Sequence, residues 1–436
     1  MRIAIIGSGI AGLGAAWLLS REHEVVLFEA NAYPGGHTHT HEVSVDGVSL
    51  AVDTGFIVHN PVHYPLLTQL FGELDVSTQD TTMSFSVHNE RTGLEYNATS
   101  LAALFCQRRN LLSPRFLRML ADLLRFYRIA PRLLAGSEAG PALGDYLREQ
   151  GFGAAFRDDH LVPMASALWS APADQILDFP ARHLVQFMAN HQMLQLAGRS
   201  QWKVVRGGSW RYVEALRQRW TASLRLATPV HAVRRLEQGV ALTTADGEET
   251  FDQVVLACHS DQALSLLSDA DDRERDVLGA ITYQPNDVVL HTDERLLPRN
   301  RKAWAAWNAH IGADAAQACT VSYCMNLLQG LPVSTPVVVT LNRSDAIDPR
   351  RILKRVRYHH PVFTREAVAA QARRGEIQGR RGTWFAGAYW GWGFHEDGLR
   401  SAVEVARSLG VAWPEVVPEP RAVDDAAPGE LAWGRA

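Results

Sequence analysis

Residues 2–6 (RIAII), 7–12 (GSGIAG) and 24–29 (EVVLFE) decide how the rest of the chain is read. Arg2 to Ile6 is a short β-branched apolar run, the composition of a buried strand. Gly7, Gly9 and Gly12 follow at once with GxGxxG spacing. Gly7 permits a tight turn out of the strand, Gly9 lets the backbone approach a pyrophosphate, and Gly12 lets the next helix pack close to the sheet. That helix runs to about Ser20, and its start around Ala11 turns free N–H groups and a partial positive charge toward the phosphates. The second strand ends in Glu29, seventeen residues after Gly12, where a carboxylate accepts hydrogen bonds from a ribose diol. Strand, glycine turn, helix, strand and acid in that order predict a dinucleotide site with Gly7, Gly9, Ala11, Gly12 and Glu29 on the ligand.

At 436 residues the chain exceeds one ordinary core and predicts two domains. Its 47% hydrophobic and 21% charged residues have globular proportions, and a net charge of −4 gives no footing for nucleic acid. Only Lys203, Lys302 and Lys354 are lysines among 43 basic residues; we read this as a compositional bias without mechanism. Cys106, Cys258, Cys319 and Cys324 lack redox or metal-type spacing, so free thiols in a reducing compartment are expected. A leader peptide is not expected, since the nucleotide strand begins at residue 2. No run of about twenty uncharged apolar residues is present to span a bilayer. The expected location is the cytoplasm, with peripheral contact at the inner membrane face as an open alternative.

Two further elements follow the acid, Pro34 to Thr40 (PGGHTHT) and Val52 to Val58 (VDTGFIV). The first resembles the GGRTxT element of flavin-containing amine oxidases, protoporphyrinogen oxidases and phytoene desaturases, and the second resembles their DxG element. The resemblance implies that Gly35, Gly36 and His37 contact the pyrophosphate of FAD and that Gly55 passes the flavin ring. The family more often has arginine where His37 stands, which implies a weaker and pH-dependent contact. His37, His39 and His41 alternate, and on a strand they would share one face as metal ligands do. Their spacing is not that of a usual zinc site and no carboxylate or thiolate completes the set nearby, so no metal is expected.

Residues 61–75 read as a helix, followed by strands at 83–87 (MSFSV) and 94–97 (LEYN). Ser113-Pro114 is a helix start signal, after which Phe116, Met119, Leu120, Leu123, Leu124 and Tyr127 recur at helical spacing. Residues 104–134 hold seven arginines and one acid, a local charge of +6. Such a segment lies on an anionic membrane or faces a core with a solvated side, and both readings stay open. A β-meander is expected over 229–253, turning at Asp246-Gly247, and Val254 to Ala257 reads as a buried strand. In the resembling family the strand at Val230 supplies a backbone contact to adenine. Residues 270–375 add sheet and helix rich in aromatics.

Near the end, Thr383 to Gly387 (TWFAG) is a strand and Tyr389 to His395 (YWGWGFH) a loop. Glu396-Asp397-Gly398-Leu399 then opens a helix to about Leu409. This resembles the family's closing flavin motif and implies cofactor contacts at Gly387, Glu396, Gly398 and Leu399, with the helix start facing the flavin C2 carbonyl. The family's acid after the AG glycine is not matched, since Ala388 and Tyr389 stand there. His395 occupies a position where relatives place a ring-facing side chain, and imidazole moves protons near neutral pH. It is the candidate catalytic residue, against the reading of a histidine bonded into its own loop.

The fold expected is α/β, a Rossmann-like FAD-binding domain (parallel sheet with β-meander) interleaved with an α+β substrate domain. Residues 1–80, 198–270 and 376–412 make the first; 81–197 and 271–375 make the second with a helical cap; 413–436 form a loose tail. FAD is expected to be noncovalent, because the closing motif has no cysteine, and no second fingerprint provides for NAD(P)H. The Arg-rich helix, HEDGLRSA and LDFPARH (177–183) resemble bacterial amine-oxidase-like proteins associated with cyclopropane-fatty-acid synthases. That resemblance implies oxidation or desaturation of a methyl-branched or cyclopropane-related fatty acyl chain, with an apolar or acyl small molecule as substrate and the synthase as a partner. Amine or polyamine oxidation is the alternative, although no lysine stands where that chemistry usually holds a water. A non-catalytic flavin-bound scaffold for the synthase is the third reading.

Overall fold

The computed structural model describes residues 1–135, 140–169, 172–195, 198–313 and 319–413. The expected loose tail lies outside them except for Trp413. β1 (Arg2–Ile6), β2 (Glu24–Phe28), β3 (Ser223–Arg225), β4 (Gln253–Leu256) and β5 (Thr383–Phe385) form an all-parallel sheet in the order β3-β2-β1-β4-β5. Ile3 to Ile6 are buried, the mark of a strand covered on both faces. Ile3 and Ile5 face one core, and Ala4 and Ile6 the other. The antiparallel meander Ala232–Arg235, Val240–Thr244 and Gly247–Phe251 covers the second face through Val233, Leu242 and Phe251.

Five helices bear on the site: α1 (Ile10–Leu19), α2 (Pro65–Glu73), α3 (Pro114–Ile129), α4 (Trp210–Arg219) and α5 (His395–Ser408). α1 and α5 pack on the Ile3 and Ile5 side of the sheet through Leu13, Leu399 and Ala402. A second sheet has seven strands, in the order Ile352–Pro361, Tyr283–His291, Val338–Leu341, Thr320–Cys324, Trp307–Ile311, Phe85–Asn89 and Leu94–Asn97. Its pairings are antiparallel except that of Trp307–Ile311 with Phe85–Asn89.

α3 starts as its sequence predicts, with the Ser113 hydroxyl accepting from Phe116 N. Phe116, Met119 and Phe126 are buried in a core that includes Val87 and Ala309 of the second sheet. The apolar stripe therefore faces protein and not lipid. Leu124, counted in that stripe, is exposed instead.

One buried carboxylate joins three parts of the chain. Asp53, at the end of strand Val48–Asp53, accepts from Ser209 N (2.9 Å) and Ser209 Oγ (2.8 Å) ahead of α4, and from Thr40 Oγ1 (2.5 Å). Gln329, from the lobe of the second sheet, donates to it at 3.1 Å and accepts from its backbone N–H at 3.0 Å. Burial pushes the Asp53 carboxyl up to about 6, with the Thr40 and Ser209 bonds offsetting part of that rise.

Candidate active site

A cavity of about 1210 Å³ opens at the carboxyl edge of the parallel sheet and is lined from both lobes. Open α/β sheets take their ligands at this edge, where successive turns diverge. Ten of the residues singled out from sequence line it: Gly7, Gly9, Ala11, Glu29, Gly36, His37, Gly55, Val230, Gly387 and His395. Gly12, Gly35, Glu396, Gly398 and Leu399 do not, and each has a packing or capping task close by.

The glycines sort by what a Cβ would meet. At Gly12 it would lie 1.8 Å from the Gly7 carbonyl oxygen, so that position serves the turn itself. At Gly9 it would meet nothing within 4 Å, which leaves open space in front of the start of α1. A Cβ on Gly36 would sit 3.1 Å from Gly9 Cα, and Gly35 N–H donates to the Ser8 carbonyl at 3.0 Å, so the glycine doublet leans on the first turn. Gly55 lets the DxG turn close on the His37 carbonyl, 2.2 Å from where its Cβ would be.

α1 and α5 meet through reciprocal notches. A Cβ on Gly14 would strike Leu399 Cδ1 at 2.6 Å, and one on Gly398 would strike Ile10 Cγ2 at 2.7 Å. Gly398 and Leu399 thus bring the two helix starts together. No side chain caps α1, so its first N–H groups are left for a ligand.

Two carboxylates differ from their expected use. Glu29 Oε2 accepts from Ser8 N (2.9 Å) and Ser8 Oγ (2.6 Å), and Oε1 accepts from Asn31 N and Asn31 Nδ2, both at 2.8 Å. It lines the nucleotide end of the cavity, yet its lone pairs brace the turn as well as facing a ribose site. Glu396 is further from expectation: it accepts from Leu66 N and Leu67 N, each at 3.0 Å, at the start of α2. Pro65 has no N–H, so these are the first donors that α2 offers, and a buried acid on a helix N-terminus is a stable arrangement. The Glu396 side chain is committed as a cap on α2 and does not line the cavity.

The histidines form a wall, not a metal face. The strand begins only at Thr40, because the left-handed turn at Gly35 and Gly36 keeps His37 out of it. The His37 ring stacks on Tyr358 (4.8 Å between centroids) and lies 5.3 Å from His360, while His39 packs between Tyr33 (4.3 Å) and His41 (4.0 Å). Burial first and neighbouring imidazoles second lower His37 to about 4, so the pH-dependent cation expected at that position is a neutral ring above pH 5. His37 Nε2 is buried without a protein partner. Asn286, oriented by a bond from Asn342 Nδ2 at 2.7 Å, donates to His360 Nδ1 at 3.2 Å, which leaves the proton of neutral His360 on Nε2.

His395 stacks on Phe56 at 3.8 Å and 17°, and its Nε2 bonds to Thr38 Oγ1 at 2.9 Å. Thr38 in turn bonds to the buried Tyr212 hydroxyl. Burial, and the neighbouring His37 after it, carry the His395 pKa well below the usual imidazole range, which favours its neutral form. Thr38, Phe56, Tyr212 and His360 were not singled out from the sequence. Thr38 and Phe56 lay inside quoted motifs, but their pairing with residues 212 and 395 has no local signal.

These features fit one group. Open space at Gly9, an uncapped helix start beside it and the unpartnered His37 nitrogen suit a diphosphate, and the cavity continues past Gly55 and His395 far enough for a ring system. A Rossmann-like sheet with this cavity is a dinucleotide-binding architecture. Residues 10–360 match the profile of the family described as flavin containing amine oxidoreductase, and the chain belongs to that family, which makes it an FAD-dependent oxidoreductase. Among solved structures it is similar to a proposed protoporphyrinogen oxidase from Exiguobacterium (18% identity, TM-score 0.67, covering 94% of this chain and 98% of that one). It is also similar to a CLA-producing fatty acid isomerase from P. acnes (17%, 0.65, 93% and 98%) and to cyclohexylamine oxidase from Brevibacterium oxydans (16%, 0.67, 94% and 99%). No curated protein matches the chain.

Two outcomes follow from this geometry. Gly9→Val should give a folded protein without flavin, whereas Gly12→Val should fail to fold; flavin absorbance and a urea transition on each variant check this, and normal flavin content in Gly9→Val would refute it. The flavin-free protein should also be acid-sensitive. His37, His41, His59, His160, His183, His191, His259, His291 and His310 are each lowered by burial to about 4. The unfolded chain takes up their protons near pH 6.5 while the folded one refuses them, so stability is complete above that pH and falls as pH drops toward 4. Asp53 and Asp397, both raised by burial to about 6, and Glu396, raised by burial as well, act in the opposite sense but are three against nine. The urea midpoint should therefore be lower at about pH 5 than at about pH 7, and equal midpoints would show that the imidazoles are not held neutral.

Proposed function

We propose that the protein oxidises or desaturates an apolar acyl chain with a neutral or anionic head group, using FAD as hydride acceptor. The supporting observation is the charge of the cavity wall. Glu29 is the only acid among the described residues that line it, and it is held at the nucleotide end by Ser8 and Asn31. Much of the remaining wall is apolar and aromatic, with Leu123, Met164, Trp169, Phe187 and Trp392, and the basic residues that line the cavity are Arg199 and Arg357. Arg357 is already paired with Asp287 at 3.2 Å, so a diamine entering this space would find Arg199 and no acid on the wall to receive it, and desolvating its ammonium groups would cost several kcal/mol. An acyl chain is matched by the same wall. No lysine lines the cavity among the described residues.

In this reading His395 positions the reacting carbon. Its ring is held between Phe56 and Thr38, and burial disfavours its charged form, so its part in this reading is to shape the site and hydrogen-bond. Bound FAD supplies the redox chemistry.

Anaerobic mixing with methyl-branched and cyclopropane fatty acids should bleach the flavin absorbance, and putrescine or spermidine should leave it unchanged. Bleaching by the amines alone would replace the acyl reading with amine oxidation. With an active substrate, His395→Phe should retain FAD and reduce it about tenfold more slowly, the worth of one hydrogen bond. The wild-type pH profile should be flat through neutrality; a limb near pH 7 that vanishes in the variant would assign His395 to proton transfer.

A further inference from the structure

We propose that the outer face of α3 and the turn before it dock on an anionic lipid bilayer, on the far side of the helix that walls the cavity. The buried stripe of α3 does not carry this surface; the opposite side does. Leu101 is 74% exposed, Leu111 51%, Leu112 87%, Leu117 44% and Leu124 52%, so half of the ten large hydrophobic side chains exposed among the described residues fall within 24 residues. On α3 itself Leu117, Ala121, Leu124 and Arg128 are all exposed at a spacing that puts them on one side of the helix. Leu111 and Leu112 extend this side from the preceding turn, Arg108–Leu112.

Charge selects the occupant. Of the seven arginines in 104–134, Arg115 pairs with Asp159 at 2.7 Å and Arg125 lies 4.0 Å from Asp122. The other five have no ion pair among the described residues, and Arg108, Arg109, Arg118 and Arg128 are exposed beside the leucines. Apolar side chains ringed by unpaired arginines match an interface of acyl chains under phosphate head groups. A second copy would bring the same arginines against each other.

The same helix walls the cavity. Leu123 and Tyr127 line the cavity while Leu124, between them, is exposed; Ala98 and Thr99 line it while Leu101, two residues on, is exposed. The exposed Arg199 stands at the same end of the cavity wall. A bilayer on this face would lie one helix away from the cavity, since α3 turns Leu123 and Tyr127 inward and Leu117 and Leu124 outward.

The test uses the FAD-loaded full chain and flotation with phosphatidylcholine vesicles, with and without phosphatidylglycerol. Binding should require phosphatidylglycerol and fall with added salt. Arg108→Gln, Arg118→Gln and Arg128→Gln should each weaken it by roughly fivefold, and Leu112→Ser with Leu117→Ser should weaken it at every salt concentration. None of these residues lines the cavity, so flavin content should be unchanged. No binding to the anionic vesicles, or equal binding to both kinds with no effect of the arginine changes, would overturn the proposal. So would a dimer in solution that the leucine changes dissociate, which would assign the face to a second copy. Vesicle binding is read without turnover, so it stands or falls apart from the substrate assignment.

Discussion

The contact on which the site depends is the one between α1 and α5, where each helix lacks a side chain at the place the other projects one. Gly14 receives Leu399 and Gly398 receives Ile10. Helix axes packed through ordinary side chains stand about 8–10 Å apart; glycine at the crossing lets these two starts share one cavity. Both are placed there by backbone shape, which no side-chain rotamer can loosen.

The electrostatics follow the same economy of formal charge. The wall around the glycine turn holds histidines kept neutral by burial, and the nearby acids are committed to N–H donors, Glu29 at Ser8 and Glu396 at α2. An anion at α1 would be met by backbone dipoles and a neutral imidazole in place of a guanidinium. Such preorganised dipoles stabilise charge without carrying one of their own. Of the cavity's two arginines, Arg357 is paired with Asp287, and Arg199 is left to influence what occupies the remainder.

Much of this could be read from the sequence because glycines report backbone geometry directly. The parallel sheet, the meander turning at Asp246-Gly247 and the Ser113 cap all appear where local pattern placed them. The misreadings share a cause. Glu396 was placed near the cofactor by its motif, but which donors a carboxylate meets depends on distant segments, and Leu66 lies 330 residues from Glu396. Periodicity in α3 revealed that one face is covered without saying by what. The exposed leucines escaped because Leu111 and Leu112 precede the helix and carry no period. Pairings such as Phe56 with His395 join distant segments and leave no trace in either one.

The strand order also governs how the molecule comes into being. β1 is made first, yet its sheet is completed by β5, about 380 residues later, and the notch at Gly14 stays empty until α5 has been synthesised. Contacts this far apart in the chain form slowly and late. A nascent chain that has emerged as far as residue 380 exposes the apolar flank of α1 and the open edge of β4, the kind of surface that invites aggregation or a chaperone. Cofactor capture thus waits on α5, because the two helix starts cannot meet over one cavity until that helix has been made.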